Sequence, residues 1–292
     1  MTIVPNNLKT TSARAVPPQV APNALIVVPC YNEAERLCVT SFLTYMDTSP
    51  AVSFVFVNDG SSDATLDRLT DLQNQRPNRI HVLSLSQNSG KAEAVRQGLL
   101  YASGLGVELM GYWDADLATP LDSIDDFARV ANKLTGVTVI FGSRRALLGH
   151  RIERTMKRRL VSRLCALLAR QAVRLPVGDT QCGAKLLRNT ATVRNAIATP
   201  FSAGWLFDVE LFARISKDTT ERGVFYEQPL CEWNEVAGSK VSGAAILKSG
   251  LCMLRLIAQI RLGLPTASPS QTDLPVAHVI CVDDDSSLAM VA

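Results

Sequence analysis

Two carboxylates stand one residue apart in YWDADLATP, residues 112–120, directly after an apolar run. Hard cations such as Mg²⁺ or Mn²⁺ take oxygen ligands, often one or two carboxylates together with substrate phosphates. Asp114 and Asp116 suit a division of labour between such a cation and the hydroxyls of a sugar or ribose; they equally suit a solvated turn before a helix. In VVPCYNE, Pro29, Tyr31 and Glu33 fall at a strand-to-helix turn, where a ring can stack on a base and free N–H groups can receive an anion, or where Asn32 caps a helix. Asp59 in VNDGSSDAT can accept from the imino N–H of uracil or guanine, with Ser61 or Ser62 as a helix cap and Asp63 in the first turn. QNSGKAEAVRQGL presents Lys91 to a phosphate where an Ala-rich helix opens and places Arg96 on its solvated face. It is not a Walker loop, lacking the spaced first glycine and the Ser or Thr after the lysine.

These groups must be positioned by the elements between them. Short β-rich runs (ALIVVP, VSFVFV, IHVLSL, VELMGYW, VTVIFG) alternate with segments of helical length, which predicts an α/β fold with a mainly parallel central sheet flanked by helices. Each run is followed at once by a polar or glycine-bearing cluster: CYNEAE, NDGSSD, SQNSGK, DADLAT or GSRR. In open α/β sheets ligands bind beyond the carboxyl ends of the strands, so the clusters should meet in one crevice. Further on, DTQCGAKLLR, WLFDVELF and EWNEVAGSKV interleave Asp179, Gln181, Lys185, Trp205, Asp208, Glu232, Ser239 and Lys240 with apolar residues.

The chain has 292 residues, 47% of them hydrophobic, enough for one sizeable domain. Residues 1–23 and 265–292 read as mobile tails around a body at 24–264, although VAHVICV could add a strand. A net charge of +3 does not imply nucleic-acid binding, and the oligomeric state is left open. Seven scattered cysteines without a C-x-x-C pair, beside three histidines, argue against a disulfide framework or zinc site and for a cytoplasmic setting. No apolar run approaches the roughly 18–20 residues of a spanning helix. Residues 149–175 instead place Ile152, Met156, Leu160, Leu164 and Leu168 at every fourth position among arginines and lysines, a basic amphipathic helix suited to an anionic membrane surface or to a solvated face of the sheet. A second amphipathic segment spans 244–264.

Taken in order, VVPCYNE, VNDGSSD, NSGKAEAVRQG, DADLATP, GSRR, DTQCGAKLLR, WLFDVELF and GSKV resemble the family-2 glycosyltransferases of the GT-A fold, and within them the dolichyl-phosphate (polyprenyl-phosphate) β-glucosyltransferase branch. The resemblance covers about residues 24–262. It implies inverting transfer of a hexose, glucose from UDP-glucose, to a lipid phosphate with Mg²⁺ or Mn²⁺; relatives of this branch carry an N-terminal membrane helix where this chain has the polar stretch 1–23, so the expected peripheral contact with the cytoplasmic face of a membrane rests on the amphipathic segments. It also implies a nucleotide-sugar site of Pro29, Tyr31, Glu33, Asp59 and Lys91, with Asp114 on the ribose or sugar and Asp116 on the metal. Arg144, Gln181, Lys185, Ser239 and Lys240 would meet the donor diphosphate or acceptor phosphate. Many lipid-phosphate mannosyltransferases carry a glutamine two residues after the D-x-D; this chain has Ala118, so more of the metal's binding falls to Asp116 and substrate phosphates.

A phosphate acceptor, with a second pKa of about 6, needs no general base. Asp179 and Asp208 are then expected to orient Lys185, Arg144 or sugar hydroxyls; a hydroxyl acceptor, the alternative, would need one of them as base. A catalytically silent nucleotide-sugar binder would not need the whole set of Asp114, Asp116 and Lys240.

Overall fold

The computed structural model describes residues 23–145, 151–152, 166–167, 170–171, 177–217, 224–234, 251–252, 254–255, 257–258, 277–280 and 290–291. The apolar runs become strands: β1 (Ala24–Cys30), β2 (Val52–Asn58), β3 (Ile80–Leu85), β4 (Leu109–Trp113) and β5 (Val139–Ser143). Between them lie α1 (Val39–Thr48), α2 (Thr65–Gln75), α3 (Lys91–Gly104) and α4 (Ser123–Lys133). After a short β6 (Arg151–Ile152) come β7 (Ala184–Arg188), α5 (Ala191–Ala198), α6 (Phe207–Lys217), β8 (Phe225–Pro229), β9 (Glu232–Trp233), β10 (Ala277–Ile280) and β11 (Met290–Val291).

Among the described residues nine strands form one sheet in the order β11-β10-β3-β2-β1-β4-β7-β5-β8. The run from β3 to β4 is parallel, and so is the β5–β8 pair. β7 runs antiparallel between β4 and β5, and β10 runs antiparallel along β3. Helices cover both faces, which is why central strands are apolar at successive positions rather than at alternate ones. On one face Phe42 and Met46 of α1, Leu69 of α2 and Phe127 of α4 pack on Ile26, Val28, Phe54 and Phe56. On the other, Val95 and Leu99 of α3, Ile197 of α5 and Phe212 of α6 pack on Val27, Val55, Val57 and Phe141. Phe42, wholly buried, meets Phe54 and Phe56 edge-on at 5.3 and 5.0 Å and contributes about 2 kcal/mol by burial alone.

Three expectations change. The candidate strand in VAHVICV forms as β10, whose Ile280 carbonyl accepts from Gln73 Nε2, so the sheet continues into the segment read as a C-terminal tail. Arg151 and Ile152, expected to begin the basic helix, pair with Glu232 and Trp233 in a small second sheet; residues 166–167 and 170–171 are helical. Arg96 is not on a solvated face: it is 3% exposed, forked onto Glu93 and donating to the carbonyls of Ile197 and Ala198. No described helix is long and apolar enough to cross a membrane.

Candidate active site

The strand order reverses around β1, whose neighbours are β2 and β4, and the crevice beyond such a switch point is where α/β sheets bind ligands. A cleft of about 240 Å³ opens there, lined by Pro29, Tyr31, Glu33, Asp59, Lys91, Asp114 and Asp116, with Arg36 at its rim. Tyr31, 45% exposed, offers a free ring face beside it.

Hydrogen bonds lock the loops after β1, β2 and β3 into a single wall. Asn32, at φ 52°, donates its N–H to Ser61 Oγ and accepts from the Ser62 N–H, so it ties two loops together rather than capping α1. The N–H of Glu33 donates to Thr65 Oγ1, and Asp63 accepts from the N–H groups of Ala34 and Thr65. Asp63 therefore precedes α2 instead of lying in its first turn, and neither Ser61 nor Ser62 is the cap residue. Asp59 accepts from the N–H groups of Ser89 and Gly90 at 2.7 and 2.9 Å. Burial raises its carboxyl pKa, and these two bonds oppose the rise. Gly60 makes the contact possible: at φ 61°, it would carry a Cβ 2.4 Å from the Asn88 nitrogen.

Asp114 to Leu117 form a β-turn beyond the end of β4, closed by the Leu117 N–H on the Asp114 carbonyl at 3.2 Å. The turn, not strand alternation, brings both carboxylates to the cleft. Leu117 has φ 53°, a strained value for a branched residue and one that clusters at functional sites. Asp116 Oδ1 accepts from the Ala118 N–H at 3.1 Å. Burial, then the neighbouring Asp114 charge, raises the Asp116 carboxyl above its ordinary range. Ala118 packs into the core, so its position adds nothing to the cleft. Asp114 Oδ1 lies 2.5 Å from Lys91 Nζ. Burial alone would lower the Lys91 pKa; the carboxylates of Asp114, Asp208 and Asp116 raise it instead.

The antiparallel β7 braces the turn from behind β4. Its register sets Ala184 beside Trp113, which carries Gly183 against Asp114: the Asp114 N–H donates to the Gly183 carbonyl at 3.0 Å, and a Cβ on Gly183 would fall 1.9 Å from Asp114 Oδ2. One turn earlier, Asp179 takes Arg144 in a two-pronged bond, 2.7 Å from Nε and 2.8 Å from Nη2, with the Arg144 N–H adding a third contact. Arg144 also lies 5.5 Å from the Trp233 ring centroid. Gln181 keeps its Nε2 buried and without a hydrogen-bond partner. Lys185 is the clearest departure from expectation. It is fully buried, 2.8 Å from Asp208, donates to the Cys182 carbonyl and lies 4.9 Å from the Tyr112 ring centroid, so it meets no phosphate. Asp208 also accepts from the Tyr112 hydroxyl. Ser239 and Lys240 lie outside the described residues.

Arg36, Tyr112 and Gly183 were not singled out in the sequence. Arg36 could have been found from its spacing, three residues after Glu33, to which it is ion-paired. Gly183 had no local signal, since its partner is distant in sequence.

The fold is GT-A, that of nucleotide-diphospho-sugar transferases. Glucosyl-3-phosphoglycerate synthase of Mycobacterium tuberculosis, in complex with Mn²⁺, UDP-glucose and phosphoglyceric acid, is similar over 90% of this chain and 88% of its own, with a TM-score of 0.55 at 17% identity. A mannosyltransferase of Pyrobaculum calidifontis with GDP-Man and Mn²⁺ gives 0.55 at 16% identity, over 85% and 66%. The model of glycosyl transferase family 2 matches residues 25–193, and the chain belongs to this family, an enzyme class of glycosyltransferases. The dolichyl-phosphate β-glucosyltransferase of Homo sapiens is 30% identical over 234 residues, 74% of this chain and 68% of that protein. One from Trichomonas vaginalis is 29% identical over 263 residues, 86% and 75% respectively.

Proposed function

We propose that this chain transfers glucose from UDP-glucose to a dolichyl or polyprenyl phosphate, with inversion. The observation that carries the reading is the cleft at the switch point, where the Asp114–Leu117 turn faces Lys91 and Tyr31, in a chain whose relatives bear the name dolichyl-phosphate β-glucosyltransferase. Tyr31 would stack on the base and Pro29, Glu33 and Asp59 would frame it. Asp114 would meet the ribose or sugar, and Lys91 and Arg144 the diphosphate or acceptor phosphate.

A divalent cation, Mg²⁺ or Mn²⁺, fits the donor set. Asp116 stands at the turn beside the Asp114 carboxylate and the cations Lys91 and Arg36, with the Ala118 N–H on Oδ1. Among the described residues no three acidic, histidine or cysteine groups are clustered to hold a metal, so Asp116 would share it with the donor's phosphates. When bound, the cation would neutralise the charge growing on the departing diphosphate.

Asp179 and Asp208 bear on the acceptor. Both are tied to cations, Arg144 and Lys185, and Asp208 is 5% exposed. Carboxylates turned onto these cations are suited to orienting them rather than to meeting an acceptor hydroxyl, which favours an acceptor that is already anionic. Leu167, Leu251 and Leu254 are more than half exposed, and Arg170 and Arg255 lie among them in sequence, which supports a peripheral contact with anionic lipid. Sedimentation with anionic vesicles should weaken as salt rises; full solubility at low salt would exclude that contact.

The test is a panel of sugar nucleotides with Mn²⁺ or Mg²⁺ and a short polyprenyl phosphate, read by product mass. The expected product is hexosyl lipid phosphate from UDP-glucose, abolished by chelator. Transfer to lipid alcohols alone would overturn the reading.

A further inference from the structure

Lys91 stands where the acidic turn needs a positive charge. Its ammonium is 2.5 Å from Asp114 Oδ1, and Asp208 and Asp116 add to the negative field around it. The lysine is held there by its backbone: it opens α3 directly after Gly90, at φ 86°, whose N–H is anchored to Asp59 Oδ2. We propose that Lys91 is a built-in counter-cation that covers Asp114 until the donor's diphosphate draws the ammonium away, so that a divalent cation enters together with the nucleotide and binds poorly without it.

An ammonium 2.5 Å from Asp114 Oδ1 repels a second cation from the turn and weakens that oxygen as a ligand. Asp116 is then the cation's chief protein ligand, and the described residues hold no three-ligand cluster to supplement it. A nucleoside diphosphate acts twice in the same direction: it supplies oxygens to the cation and offers the lysine a competing anion. Nucleotide and metal are thereby coupled, and by linkage each tightens the other by the same factor. Lys91 is in this sense a positioning residue for the metal. The proposal rests on the donor-cleft reading above and goes beyond it by assigning the order of assembly.

The test measures Mn²⁺ binding to the full chain by the electron paramagnetic resonance of free Mn²⁺, with and without UDP, and with no sugar or acceptor present. In the wild type, UDP should tighten Mn²⁺ by about tenfold or more. Lys91→Met should bind Mn²⁺ alone about twofold to fivefold tighter than wild type, because the partly exposed ion pair it removes is of that size, and its UDP enhancement should shrink by the same factor while the contribution of the diphosphate oxygens persists. Lys91→Arg should stay near wild type. Lys91→Met that binds Mn²⁺ alone no better than wild type overturns the proposal. Should that variant fail to fold, as judged by circular dichroism, Lys91→Gln carries the same comparison. No Mn²⁺ uptake by the wild type even with UDP would sink the donor-cleft reading instead, so the two failures are distinguishable.

Discussion

One added methyl group, at Gly183, should separate folding from catalysis. A Cβ there would sit 1.9 Å from Oδ2, 2.2 Å from Cγ and 2.6 Å from Oδ1 of Asp114, against a limit of 3.0 Å that real Cβ atoms respect. The carboxylate must therefore retreat by about 1 Å or more, which for a positioned group costs on the order of 10²-fold in rate. That is about 2.7 kcal/mol of transition-state stabilisation. Folding should hardly notice. The clash is with the end of a side chain that is 34% exposed, and Gly183 is not in the left-handed region that favours glycine. Loss of the partly exposed Lys91–Asp114 pair costs about 0.2–1 kcal/mol, and Ala recovers about as much by restricting the unfolded chain. Gly183→Ala should thus melt within about 4 °C of wild type while kcat/KM for transfer from UDP-glucose to short polyprenyl phosphate falls about 100-fold. The assay pairs initial rates with a thermal melt on the same preparation. Wild-type kcat/KM would refute the placement of Asp114 against the reacting groups, and a collapse of the melting temperature would refute the claim that its carboxylate can swing aside.

Asp179→Asn should lose about 3 kcal/mol in urea unfolding, because it leaves the nearly enclosed Arg144 guanidinium without its counter-charge; an unchanged midpoint would show that the pair is solvated. Asp208→Asn should lower stability by about 3 kcal/mol as well as activity, since it strips Lys185 and Tyr112 of their shared partner; activity lost at an unchanged urea midpoint would instead mark Asp208 as a base. For Asp116→Asn the sign is opposite. Its carboxyl binds a proton more tightly folded than unfolded, so ionisation penalises the native state once the pH rises past the folded pKa, and the penalty vanishes below the ordinary value of 3.8. The variant should melt slightly higher at pH 7, a gain kept small because the Asp116 carboxyl is exposed to solvent and one that shrinks as the pH is lowered, while metal-dependent UDP binding is lost. Melts across the acid range and titration calorimetry check both halves.

Much of the scaffold was legible in the residues. Apolar runs of strand length predicted β1 to β5, and four of the five polar clusters that follow them line one crevice, the GSRR cluster not being among its lining residues, because side-chain patterning is local and the switch-point rule is general. The hidden features are contacts between distant segments. DTQCGAKLLR carries no mark that β7 would insert antiparallel between β4 and β5, yet that insertion sets Gly183 against Asp114. Lys185 read as a phosphate contact and Arg96 as a solvated cation, but both lie between covered layers, where a buried Asp208 and a buried Glu93 neutralise them. A sheet packed on both faces has no solvent side to which a lysine in the middle strand could turn. By itself the sequence determined the strands β1 to β5 and that Asp114 and Asp116 follow one of them. Only the tertiary structure decided which cations those carboxylates meet, because charge pairing depends on the order of strands in space and not on their order in the chain.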